Sequence, residues 1–172
     1  TGELLSLVSA PSYNPNLLVG RERSKNYYEL YKDSIYKPLI DKGLLSTFPA
    51  GSPFKIIVGL IALQENAVSD KTTIYCDGAY IYGRNKKSMK CHCGGGYRNI
   101  YNGISQSCNS YFAEVYRKTI NMDNDVSRNF DKWSVNVKSF GLGNFLNNDL
   151  PVGKKGIIPD SEFYNKWYPD FR

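Results

Sequence analysis

The sequence predicts an α+β domain that is mostly helical, and three observations lead there. An unbroken apolar run, "FKIIVGLIALQ", follows a Ser-Pro pair at Ser52 and Pro53, the pattern of a helix entering a core. From Asn99 onward Ile100, Ile104, Cys108, Phe112 and Val115 recur at the three- and four-residue spacing of helices. Against these, only the opening "GELLSLVSA" reads as a strand, stopped at Pro11 by the turn-rich "APSYNPN". With 172 residues, 41% hydrophobic and 14% aromatic, the chain has material for a core and is expected to fold as one domain rather than remain disordered.

In order along the chain, residues 2–10 are expected as one buried strand lacking its natural partner. "SKNYYELY", from Ser24 to Tyr31, predicts a short helix capped by Ser24, because Tyr27, Tyr28, Leu30 and Tyr31 fall at helical spacing. In the helix after "FPAG", Ser52 is expected as the cap and Pro53 as the first helical residue, and the lack of polar residues between Ile56 and Leu63 predicts burial all round. Residues 72–97, rich in Cys, Gly, Tyr and Lys, have no lasting period and predict a loop or small irregular hairpin held by a cross-link or a metal. One or two helices with a break near Ser107 follow. "VSRNFDKWSVNVKS" adds another, ended at Gly141 and Gly143, and the tail from Leu150 is expected to cross the surface without a closing element.

The net charge of +6 is spread over scattered Lys and Arg, with "RNKK" at Arg84–Lys87 the one denser group, which reads as a solvated face and not as a nucleic-acid site. The longest apolar run, Ile56–Leu63, contains Gly59 and falls short of the roughly 20 residues that cross a bilayer. The chain is therefore expected to be soluble. It opens "TGELLSLVSAPS" without Met or a signal peptide, so Thr1 is not expected to be a natural start.

The chemistry centres on Ser52 and Lys55. A Ser hydroxyl needs a base to become nucleophilic, and a Lys can serve if its surroundings leave a neutral amine. Spacing of three on a helix sets both on one face, and the helix N-terminus favours negative charge at Ser52. The pattern is weak alone, since "SIYK" at Ser34–Lys37 has it too, and without further context a capped structural helix with a snorkelling Lys is the favoured reading. About fifty residues on, in the helical break, "SCN" at Ser107–Asn109 offers a hydroxyl and an amide. Ser-x-Asn also occurs at Ser12–Asn14 and Ser134–Asn136, so it gains weight only through its order and its phrase, "ISQSCNSYF".

Taken with "TGELLSLVSAPSYNPN", the phrases "FPAGSPFK" and "SCNSYF" resemble the transpeptidase domain of class B penicillin-binding proteins. The likeness is greatest to the elongation-type, penicillin-binding protein 2 branch, with a Bacteroidetes-like character, and covers nearly the whole chain. It implies a fragment of the penicillin-binding protein and serine β-lactamase-like fold, its helical part plus one sheet strand. It also implies that residues 1–172 are a single partial domain of a periplasmic, inner-membrane-anchored protein. By the resemblance Ser52 attacks the D-Ala-D-Ala end of a peptidoglycan stem peptide, Lys55 deprotonates it, Ser107 relays the proton and Asn109 holds the substrate amide. β-Lactams would trap the acyl-enzyme, and the partners would be those of cell-wall elongation and cell shape. The family's Lys-Thr-Gly box is missing from the sequence. The expectation is a fragment that lacks the first strand and the C-terminal strands with that box, and that does not itself turn over substrate.

All four cysteines, Cys76, Cys91, Cys93 and Cys108, lie within 33 residues together with the only histidine, His92, and "CHC" runs into "GGG", whose backbone can wrap a metal. Zinc in a structural role, with no organic cofactor, is the expectation, and the resemblance implies a ligand between Ser107 and Asn109, which is Cys108. Either Cys93 or His92 could complete the set. Two disulfides are the alternative, as an oxidising periplasm would favour. Two other functional readings stand beside the transpeptidase: a non-catalytic zinc-stabilised module, and a β-lactam sensor or β-lactamase-like hydrolase, for which no second Glu motif is present.

Overall fold

A computed structural model describes residues 3–145, 150 and 152–168. Helices dominate: α1 (Arg23–Lys32), α2 (Phe54–Gln64), α3 (Ile100–Ser105), α4 (Asn109–Ile120), α5 (Val126–Ser139) and α6 (Ser161–Trp167). The short strands β1 (Ile74–Cys76), β2 (Ala79–Tyr82), β3 (Lys87–Lys90) and β4 (Gly96–Arg98) form two antiparallel pairs, β1 with β4 and β2 with β3. The chain divides into two compact units, residues 1–48 with 143–156, and residues 49–142 with 157–172.

In the first unit local hydrogen bonds do most of the work. Asn14 caps a 3-10 turn at Pro15–Leu18, Asn26 Nδ2 donates to Leu17 O at 2.9 Å, and Asp41 Oδ1 accepts from the N–H groups of Gly43 and Leu44. The strand expected over residues 2–10 does not form. Its described part runs extended without a ladder, and Leu5 and Val8 are exposed, because an isolated strand has nothing to pair with or pack under; Gly2 lies outside the described residues. Ser24 does not cap α1 either, since the helix starts one residue earlier, with Glu22 at the cap position.

The second unit holds the core. Helix α2 packs Val58, Ile61 and Ala62 against Ile100 of α3 and Tyr111, Phe112 and Val115 of α4, and α5 closes the group with Trp133 and Val137. Gly59 makes this approach possible: a Cβ there would stand 3.1 Å from Ile100 Cδ1 and 3.4 Å from Phe112 Cε1. Burial of α2 is one-sided, not all round as its composition suggests, for Ile56 and Leu60 are half exposed. Apolar residues on every side show that a helix can be buried, not which faces its neighbours cover.

The long irregular stretch is the two ladders of β1–β4, including a β2–β3 hairpin. Beyond it α3 begins with a full capping box, in which Asn99 accepts from Asn102 N–H and Asn102 accepts from Asn99 N–H. The break before α4 lies at residues 106–108, as the spacing predicts. The tail is not a plain extension. Asp160 caps α6, and Ser161 donates from both N and Oγ to the Asp131 carboxylate, at 2.7 Å each. The "PDSEF" phrase carries that start signal. Pro151 and residues 169–172 of the expected tail lie outside the described residues.

Gly103 of α3 faces the Tyr111 ring so closely that a Cβ would meet Cδ1 at 2.9 Å, and Tyr111 is fully buried. Gly103→Ala should therefore destabilise the chain by about 1–3 kcal/mol despite the better helix propensity of Ala, as read by urea denaturation. A more stable variant would contradict this packing.

Candidate active site

Gly51 adopts φ +65°, a conformation open to glycine, and turns the chain into α2. The first N–H groups of the helix then find backbone acceptors, Phe54 N to Gly51 O at 3.1 Å and Lys55 N to Ser52 O at 3.0 Å. Pro53, not Ser52, occupies the cap position and no side chain caps the helix. The Ser52 hydroxyl is therefore not spent on capping and is available for another task.

That hydroxyl meets Lys55 and Ser107. Lys55 Nζ lies 3.3 Å from Ser52 Oγ, 2.8 Å from Ser107 Oγ and 2.6 Å from Ser107 O, and the two seryl oxygens are 2.9 Å apart. Ser107 sits at φ +51°, a left-handed conformation unusual for a residue with a Cβ. The break holds it there: Ser107 N donates to Ile104 O at 2.9 Å and Cys108 N to Gly103 O at 2.8 Å. Asn109 opens α4, and its Nδ2 donates to Lys90 O at 2.8 Å, tying the end of β3 to the same corner. The look-alike motifs are engaged elsewhere. Ser34 and Lys37 lie in an exposed turn, Asn14 caps the 3-10 turn, and Asn136 donates to Glu65.

Strand pairing gathers the cysteines. Cys76 ends β1 opposite Gly96 of β4, and the β2–β3 hairpin brings Cys91 back so that its N–H donates to Gly78 O at 2.8 Å. Cys93 follows in the glycine loop, and Cys108 caps α4, its Sγ accepting from Tyr111 N. The sulfurs of all four lie within 4.8 Å of one another. Cys91 Sγ is 3.2 Å from Cys93 Sγ and 3.6 Å from Cys108 Sγ, and Cys76 Sγ is 3.6 Å from Cys93 Sγ, all far beyond the roughly 2.05 Å of a disulfide bond. His92 is exposed and outside this group.

The four thiols are not equivalent. Burial acts to raise Cys91, but donation from the backbone N–H groups of Cys93 and Ser110, with help from neighbouring thiols, brings it down to about 5. Burial pushes Cys93 and Cys108 upward. Cys91 is thus favoured as a thiolate, whereas burial opposes ionisation of Cys93 and Cys108. Two participants carry no signal in the sequence: the Lys90 carbonyl, which any residue could supply, and Arg98, whose guanidinium reaches back into the Cys93–Tyr97 loop.

A Ser-Lys pair at a helix start, joined by a second Ser from a neighbouring helical break, is an arrangement able to support serine acyl transfer. The chain belongs to the family described as "Penicillin binding protein transpeptidase domain", whose model matches residues 1–168. It is 31% identical over 166 residues, 95% of this chain and 23% of the relative, to the peptidoglycan D,D-transpeptidase MrdA of Acinetobacter baumannii. Among solved structures it resembles Helicobacter pylori PBP2 in its complex with MreC, with 29% identity, a TM-score of 0.76, and 98% of this chain and 30% of that one covered. Pseudomonas aeruginosa PBP2 gives 28% identity and a TM-score of 0.71, covering 94% of this chain and 36% of that one. The chain thus spans about a quarter of the length of the curated relatives it matches, 23% of MrdA from Acinetobacter baumannii and 26% of MrdA from Escherichia coli.

Cys108 links the corner to the thiol group. Cys108→Ala removes the acceptor of the Tyr111 N–H from a fully buried position, so a loss of about 1–3 kcal/mol is expected in thermal or denaturant melts. The remaining thiols should also react faster with a thiol reagent; unchanged stability and reactivity would argue against the link.

Proposed function

We propose that this chain supplies the nucleophilic half of a peptidoglycan D,D-transpeptidase site, with Ser52 as nucleophile, Lys55 as its base, Ser107 as proton relay and Asn109 as a contact to the substrate amide. The observation that carries the reading is the triangle of Ser52 Oγ, Lys55 Nζ and Ser107 Oγ, with sides of 2.8–3.3 Å. A neutral amine has two N–H groups and one lone pair. Ser107 offers two acceptors to those N–H groups, its O and its Oγ, which leaves the lone pair for the Ser52 proton.

In the proposed reaction Ser52 Oγ attacks the carbonyl carbon between the two D-Ala residues of a stem peptide as its proton passes to Lys55 Nζ. The C–N bond then breaks, and the departing D-Ala amine takes a proton from Lys55 by way of Ser107 Oγ. An amine of a neighbouring stem then attacks the resulting ester as its proton passes to Lys55 Nζ, the bond from the carbonyl carbon to Ser52 Oγ breaks, Ser52 Oγ takes that proton back, and the new amide is the cross-link. A β-lactam would follow the first step and stop there, since its amide imitates the bond that is cut. The MreC complex of the Helicobacter pylori relative supports a place in the cell-wall elongation machinery. Similarity to MrdA supports a periplasmic, membrane-anchored protein, although no described helix is itself long and apolar enough to cross a membrane.

The thiol group is proposed to hold one zinc ion through Cys76, Cys91, Cys93 and Cys108. Tetrahedral zinc with ligands at about 2.3 Å sets its sulfurs about 3.8 Å apart, close to the separations found here. An ion with four protein ligands keeps no open position, so its contribution is to fix the backbone. Through Cys108 it would keep Ser107 and Asn109 in register with Ser52.

Two measurements test these readings. In the intact protein, fluorescent penicillin should label Ser52, and Ser52→Ala should abolish the labelling; labelling that persists, or that maps to Ser34, would sink the assignment. Metal analysis of the purified chain should find about one zinc per molecule, and chelation should lower its melting temperature. Absence of zinc together with two intact disulfides among these cysteines would overturn the metal reading.

A further inference from the structure

The loop from Cys93 to Tyr97 contains a buried cation that the proposed chemistry does not use. Arg98 is only 8% exposed. Its Nη2 donates to Cys93 O at 2.7 Å and to Gly94 O and Gly95 O at 3.3 Å each, and its Nη1 donates to Tyr97 O at 3.0 Å. Four carbonyls from five consecutive residues therefore converge on one guanidinium. Left to itself such a turn would crowd its carbonyl dipoles, so the conformation depends on a compensating positive charge. Gly94 at φ +68° and Gly96 at φ +121° allow the backbone to curl this tightly.

We propose that Arg98 is the positioning residue of the thiol centre: its guanidinium moulds the Cys93–Tyr97 loop so that the Cys93 sulfur stands beside the other three before any ion arrives. Three features assign the task to this residue. Arg98 closes β4, where it pairs with Ile74 in the same ladder that sets Cys76 opposite Gly96, so its backbone is fixed to the strand bearing one thiol. Its side chain then grips the carbonyl of the residue bearing another, Cys93. The planar fork can serve several acceptors at once, which the single ammonium of a lysine cannot do with the same geometry. Its Nε–H has no acceptor among the described residues, so all the bonding of the group is spent on this loop. A cation beside the site also offsets the net negative charge that four thiolates leave around a divalent ion.

Gly96 gives an independent handle, because a Cβ there would stand 3.1 Å from Arg98 Nη1 and would also be strained at that φ. Gly96→Ala should push the fork off its carbonyls while leaving Arg98 in place.

The inference rests on the zinc reading, and the test separates the two. Zinc affinity of the wild-type chain, Arg98→Met, Arg98→Lys and Gly96→Ala would be measured by chelator competition, and the visible spectrum recorded after cobalt(II) substitution. Near-ultraviolet dichroism of the aromatic side chains, buried Trp133 of α5 among them, reports whether each variant is folded. Arg98→Met should bind zinc roughly 10–100-fold more weakly, with altered thiolate-to-cobalt bands. Arg98→Lys should recover only part of the loss and Gly96→Ala should reproduce it. Should Arg98→Met fail to fold, the other two variants decide. Wild-type affinity and an unchanged cobalt spectrum in folded variants would overturn the role of Arg98. If the wild-type chain takes up neither metal, the zinc reading fails, and amide exchange across residues 93–97 judges Arg98: exchange faster in the variants supports the moulded loop, and equal exchange refutes it.

Discussion

The close packing of α2 on the α3–α4 pair is the constraint on which the site depends. Ser52, Lys55, Gly59 and Ala62 recur at spacings of three and four, so the face that offers the hydroxyl and the amine also presses into the core. Because Gly59 lets Ile100 and Phe112 approach within contact of the helix backbone, Lys55, one turn earlier, reaches Ser107 across the break. A larger residue at position 59 would lift the amine away from its partner before touching any reacting group. The site is thus a consequence of core density as much as of its own residues.

At the other side of the triangle, the break between α3 and α4 is held by competing demands. Ser107 takes a left-handed conformation with a real cost, and it is flanked by Cys108, which turns inward, and Asn109, which bonds to β3. Alternation of outward, inward and outward side chains over three residues is what allows one short segment to face the site and the thiol group together. Cys108 thereby joins two clusters that the linear sequence separates: the hydroxyl pair before it and the cysteines of the ladders. Arg98 extends the same logic one step further, from the thiols to the loop that carries one of them.

The look-alike motifs show why spacing alone is a weak guide. "SIYK" repeats the Ser-x-x-Lys spacing but falls in an exposed turn, where Lys37 itself is left-handed and no helix aligns the two side chains. Ser134 of "SVN" is buried, its hydroxyl without a partner among the described residues, and its Asn136 serves Glu65. Neither segment brings its Ser to a Lys or a second Ser hydroxyl among the described residues. What distinguishes Ser52 is that the backbone carbonyls of Gly51 and Ser52 already satisfy the helix start.

The sequence by itself determined the helices with strong periodicity and the break near Ser107, because these follow from spacing and side-chain type; it offered the four cysteines through their clustering, and Ser52, Lys55, Ser107 and Asn109 only through the family resemblance of the phrases that carry them. It misjudged whatever depended on neighbours. The apolar opening residues needed a sheet partner to become a strand, α2 needed to be seen in place before its exposed face was apparent, and α6 was held by Asp131 from thirty residues away. Only the tertiary structure decided that His92 stands outside the thiol group while Cys93 lies inside it, and that the Ser52 hydroxyl meets Lys55 and Ser107 and does not cap the helix. Those outcomes turn on where the backbone curls and which carbonyls converge, through contacts between residues far apart in the chain that local propensity does not encode.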